Sequence, residues 1–174
     1  GGMGTESCGD FFTPRQALTP TTPGRKASRR AEAGRDGLGL AAATCLAIAL
    51  GRCVDNLSSL VTWTAGGEFQ GHTFSRQALS IVWDFAEVNP FANAGGSWLG
   101  AVEWVAKVIE ANAVVPMTPA TVALANAAQH PLPDDSVAAL ITDPPYYDAV
   151  PYADLSKYFY VWFKRTLGKT HPEL

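Results

Sequence analysis

The sequence predicts an α/β fold, and three observations predict it. Residues 137–141, Val-Ala-Ala-Leu-Ile, form a continuous apolar run of strand length, as in a central parallel strand covered on both faces. Pro144 and Pro145 follow it. Each lacks a backbone donor and fixes φ, so ladder pairing stops there. Upstream, apolar residues recur at helical spacing over residues 40–63 and 97–113. The expected organisation is a poorly ordered segment over 1–39, a helical region over 40–115, and a sheet-bearing part over 116–174. The helical region is thus an insert before the strand that ends at Asp143.

The chain is held rigid where that strand ends, at the edge where open α/β sheets bind ligands. Asp143 offers a carboxylate, and the Pro-Pro turn aims the Pro144 carbonyl beside it. Both accept hydrogen bonds. Two acceptors suit a planar exocyclic NH2 group, and Tyr146 adds a flat face for stacking a base. An amine held this way loses conjugation with its ring, and its lone pair turns to an electrophile. The acceptors stabilise the positive charge that develops on nitrogen. The bland alternative is a plain strand-ending turn with an exposed tyrosine.

Asp143-Pro144-Pro145-Tyr146 closely resembles the catalytic motif of amino-methyltransferases, which move a methyl group from S-adenosylmethionine to adenine or cytosine. The resemblance extends through Phe11-Phe12-Thr13-Pro14-Arg15-Gln16, His72-Thr73-Phe74-Ser75-Arg76-Gln77-Ala78, Val82-Trp83-Asp84-Phe85-Ala86-Glu87, Asn89-Pro90-Phe91 and Ser97-Trp98. It continues through residues 146–156 and Phe159-Tyr160-Val161-Trp162. Together these stretches resemble a family of large bacterial and archaeal adenine-specific DNA methylases. The resemblance is good over 41–174 and poor over 17–40.

It implies a partial Rossmann-like methyltransferase fold with Asp143, Pro144, Pro145 and Tyr146 as catalytic residues. Tyr147, Asp148 and Tyr152 would line the base pocket, with Asp154 near them. Asn126, at the end of a strand over residues 121–125, would contact the adenine ring of S-adenosylmethionine or else cap a turn. DNA is the implied partner, reached by flipping a base out of the stack, and partner subunits of a modification or defence system are conceivable. The same turn occurs in RNA and protein-glutamine methyltransferases, so these remain alternatives. So does a non-catalytic relative serving as an interaction module. The family's donor-binding loop has no convincing copy here, and the expectation is an internal fragment of a longer enzyme. Asn89-Pro90-Phe91 mimics that loop but follows a helix-like stretch, and reads as a turn into a helix capped by Ser97.

Composition sets the outer bounds. With 174 residues, one domain is the simplest division, and 13 basic against 16 acidic side chains neither advertise nor exclude nucleic acid. Cys8, Cys45 and Cys53 form no Cys-x-x-Cys pair, so no metal site is expected. No apolar run is expected to reach membrane-spanning length, and the N-terminus shows no secretion signal, which predicts a cytoplasmic protein without membrane contact.

The remaining elements follow in order. Thr13-Pro14, Thr19-Pro20 and Thr22-Pro23-Gly24 punctuate the N-terminal segment with turns. Arg25, Lys26, Arg29, Arg30 and Arg35 make it basic, as an arm touching phosphates or, the favoured reading, a solvated segment. One helix is expected over 40–63, with Leu46, Leu50, Cys53, Leu57 and Leu60 as its stripe and Gly66-Gly67 ending it. A short helix should close near Glu87. His72 and Arg76 could approach a phosphate, though a lone loop histidine is more often a surface residue. Ser97–Ala113 is a helix with Trp98, Val102, Val105 and Ile109 on one face. Tyr152–Leu167 is another, burying Leu155, Tyr158, Phe159, Trp162 and Phe163 and stopping at Gly168. Lys164 and Arg165 suit its C-terminus.

Overall fold

The computed structural model describes residues 7–34, 37–75, 78–79, 82–116, 118–147 and 149–172. Four helices carry the core: α1 (Pro14–Ala33), α2 (Gly37–Asp55), α3 (Trp98–Ala113) and α4 (Tyr152–Leu167). A 3-10 turn, Cys8–Phe11, precedes α1, and an antiparallel ribbon of β1 (Trp63–Thr64) and β2 (Phe69–Gln70) follows α2. α2 packs against α1, α3 and α4, and α4 also packs against α1.

α1 occupies residues 14–33 of the segment expected to be poorly ordered over 1–39. Thr13 caps it: its hydroxyl accepts the Gln16 N–H at 3.1 Å, while the Gln16 side chain accepts the Thr13 N–H at 2.9 Å. Pro14 sits in the first turn, where its missing donor does no harm. Pro20 and Pro23 lie inside the helix, each at a cost of about 3 kcal/mol. Packing offsets that cost, since Pro20, Ala27 and Ala31 are buried against the other helices. Gly24 allows close approach: a Cβ there would lie 3.2 Å from both Leu50 Cδ2 and Thr166 Oγ1.

α2 is the core helix. Its 19 residues are long and apolar enough to cross a membrane by length and composition, contrary to the sequence expectation. Here Ala43, Ala47, Ala49, Leu50, Cys53 and Val54 are buried by neighbouring helices instead. It also ends at Asp55, short of the expected residue 63. Polar side chains turn the chain at this point. Asn56 Nδ2 donates to the Gly71 carbonyl at 3.0 Å, and Ser58 Oγ lies 2.8 Å from Thr73 Oγ1. Gly66 and Gly67 then serve the ribbon's turn, with Glu68 at φ 52°, rather than a helix stop.

α3 starts as expected, with Ser97 Oγ accepting the Gly100 N–H at 3.1 Å. Trp98, Val102 and Val105 pack with Ala49, Cys53, Leu57 and Ala101, whereas Ile109 stays exposed. The short helix expected near Glu87 is absent among the described residues.

α4 matches its expected bounds and buries Tyr158 and Trp162. Phe12 stacks on Tyr158 with ring centres 5.7 Å apart, and Phe74 meets Tyr158 edge-on at 5.2 Å. The Tyr158 hydroxyl donates to the Val54 carbonyl at 2.8 Å. Tyr158 thus fixes α4 to the end of α2 and to the 3-10 turn.

The expected parallel strands do not form. The only sheet among the described residues is the two-stranded ribbon. Residues 118–147 contain neither helix nor strand, and every described residue there is exposed. A central parallel strand needs partners on both edges and cover on both faces. No described strand lies beside residues 121–125 or 137–141, so their apolar side chains face water.

Candidate functional site

The Asp143–Tyr146 motif lies on this open connection between α3 and α4, where residues 143–146 form neither a turn nor a bend. Asp143, Pro144 and Pro145 are exposed, and the Tyr146 side chain is 71% accessible. Among the described residues the Asp143 carboxylate makes no hydrogen bond or ion pair, so its acceptor capacity is unspent. Tyr147 also projects into solvent. Asp148 lies outside the described residues. Tyr152 opens α4 and is half exposed. Asp154, one turn into α4, pairs with Lys157 at 2.9 Å.

The turn that precedes the motif is built locally. Ser136 Oγ donates to the Pro133 carbonyl at 2.7 Å, and Asp135 takes the left-handed conformation at φ 56°. Asn126 does the same further upstream. Its side-chain oxygen accepts the Ala128 N–H at 3.0 Å, and its carbonyl accepts the Gln129 N–H at 2.9 Å. Of the two roles the sequence left open, the turn-capping one is observed. Asn126 is exposed.

The helical core carries a polar cluster that the sequence did not bring together. His72 Nδ1 lies 2.6 Å from Asp55 Oδ2, with the His72 side chain 68% exposed. Thr73 Oγ1 donates to the Asp55 carbonyl at 2.7 Å and reaches Ser58. The cluster stitches the loop over residues 71–75 to the end of α2. His72 is therefore a surface partner of Asp55. Below it, burial pushes the Cys53 thiol up to about 12 and the Tyr158 hydroxyl well above its ordinary value. Both stay protonated at neutral pH, so Cys53 is a packed, inert thiol.

Several hollows lie among the described residues, one of about 470 Å³ beside Pro151, Asp154 and Tyr158. An apolar one of about 690 Å³ lies between α1, α2 and the turn into α3, lined by Leu18, Leu46, Phe91 and Trp98 among others. A polar one of about 370 Å³ separates α1 from the C-terminal end of α4.

No protein-family model, curated protein or solved structure matches the chain. The chemistry of its own residues therefore carries the functional reading.

Proposed function

We propose that this chain supplies the base-gripping motif of a DNA amino-methyltransferase. The observation that carries the proposal is the Asp-Pro-Pro-Tyr motif itself, with its carboxylate unpaired and its tyrosine ring open on a segment rich in strand-forming residues. Val122, Leu124, Leu140 and Ile141 turn their side chains to water on that segment. In a Rossmann-like sheet such residues would be covered by neighbouring strands and helices. On this reading, strands from outside these residues, in the same polypeptide or a partner subunit, complete the sheet.

The acceptor side of the reaction follows from the motif. A base flipped from the DNA stack lays its ring on Tyr146. Its exocyclic amine donates one hydrogen to the Asp143 carboxylate and the other to the Pro144 carbonyl. The nitrogen lone pair leaves conjugation and becomes nucleophilic. Asp143 then faces the positive charge that grows on nitrogen. Tyr147, Asp148 and Tyr152 would bound the pocket for the base. S-adenosylmethionine would supply an electrophilic methyl group on its sulfonium, bound by the completed fold.

A second reading rests on the helical core. The four helices form a self-contained unit around Tyr158, and the motif lies outside it. That arrangement also suits an interaction module without catalysis.

One experiment separates these readings. The chain is expressed in its natural reading frame in a host that lacks endogenous base methylation. Its DNA is then hydrolysed and the nucleosides are weighed by mass spectrometry. N6-methyladenine or N4-methylcytosine should appear with the wild type and vanish with Asp143→Ala. Wild-type DNA free of both bases would favour the interaction module. Methylation confined to RNA or to protein glutamine would reassign the substrate.

A further inference from the structure

Seven of the chain's 13 lysines and arginines lie on two stretches far apart in sequence: Arg25, Lys26, Arg29 and Arg30 on α1, and Lys164, Arg165 and Lys169 at the end of α4. The fold brings four of them together. The close approach at Gly24 sets the second half of α1 against the last turn of α4. The result is a groove of about 370 Å³, with Arg25 and Arg29 on one wall and Arg165 and Lys169 on the other. All four are exposed. The Arg165 guanidinium lies 5.9 Å over the Trp162 ring, which forms part of the floor and orients the cation.

The charge on this groove is compensated only in part from within. Glu32 is the only acidic lining residue, and it is engaged by Lys169 at 3.0 Å. Among the described residues Arg25, Arg29 and Arg165 have no ion pair. Both helices end nearby, and their dipoles offer roughly half a negative charge each. That is less than the positive charge gathered here. Like charges brought together with too few counter-charges call for an anion. Cations on two facing walls suit a ridge of successive phosphates better than a single one.

We infer that the groove between α1 and the end of α4 is a docking surface for the phosphate backbone of a nucleic acid duplex. The groove is concave, and Trp162 is buried rather than projecting. A phosphate strand fits into it, whereas a flat membrane would meet only its rims. The inference extends the DNA reading above but uses other residues.

Binding of a fluorescein-labelled DNA duplex of about 20 base pairs, followed by anisotropy between about 50 and 200 mM salt, tests it. The logarithm of the association constant should fall with the logarithm of salt with a slope of about −3, as for three or four neutralised phosphates. Arg25→Gln/Arg29→Gln should weaken binding at least tenfold, roughly, and flatten the slope by about 1.8. Arg165→Gln/Lys169→Gln should do the same from the other wall. Lys107→Gln on α3 should leave both quantities unchanged. All these side chains are exposed, and circular dichroism checks that the variants keep their helices. Absence of duplex binding at low salt would overturn the inference, as would binding that both double variants retain. So would variant-sensitive binding to phosphatidylserine vesicles without binding to the duplex. The assay involves no methyl transfer, so an inactive Asp143 site leaves its outcome untouched.

Discussion

The hydroxyl of Tyr158 on α4 donates to the backbone carbonyl of Val54 on α2 at 2.8 Å, across a separation of 104 residues in sequence. This buried bond sits inside a ring of aromatic side chains. It fixes the last helix to the core after a long connection that makes few contacts of its own.

Removing only that hydroxyl isolates the value of the bond. The Val54 carbonyl also receives the Leu57 N–H at 3.3 Å, so Tyr158→Phe leaves it with one partner. The expected loss is about 1 kcal/mol, read from the urea midpoint of unfolding. Tyr158→Ala also removes the ring, and the loss should reach about 3–5 kcal/mol. A Phe variant as damaged as the Ala variant would assign the ring's role to the hydroxyl.

Alkaline pH should destabilise the protein in a defined window. Burial raises Cys53 from its ordinary 9.0 to about 12, and it raises Tyr158 from 10.0. Above pH 9 the unfolded chain releases protons that the folded chain still holds. Stability is therefore complete below pH 9 and falls as pH climbs toward 12. Each group contributes a slope of about 1.4 kcal/mol per pH unit within its window. Cys53→Ala should lower stability at neutral pH but shrink the loss between pH 9 and pH 10, measured by thermal unfolding. The same loss in both proteins would contradict the burial of this thiol.

Substitutions in the Asp143 motif should be silent for stability. Asp143 has no described partner, and Tyr146 is largely in water. Asp143→Ala and Tyr146→Ala should each leave the unfolding free energy within about 0.5 kcal/mol of the wild type. A loss several times larger would place these side chains in a packed environment.

The sequence disclosed elements whose signals are local. Ser97 announced α3 through its cap, Gly168 marked the end of α4, and Tyr158 and Trp162 fell on the face of α4 that is buried. The prolines misled in α1, where Pro20 and Pro23 read as turns. The Thr13–Gln16 capping box and the buried small face outweigh them. Gly66 and Gly67 read as a helix stop because a two-residue ribbon leaves almost no periodic signal. The strands at 121–125 and 137–141 failed for another reason. Their apolar side chains specify a need for cover, and no described element covers them. At the candidate site, residue type suggests the chemistry proposed for Asp143 and Tyr146. The turn that Asn126 caps was one of two roles its residue type left open. The basic groove was hidden because its two walls are far apart in the chain and only packing joins them.

The open connection between α3 and α4 also decides how the molecule responds to being cut. A protease acting on residues 118–147 would sever the polypeptide without loosening the helices, because α4 is gripped by α1 and α2 rather than by its covalent tether. The two pieces would travel together as a nicked complex under native conditions and part only in denaturant.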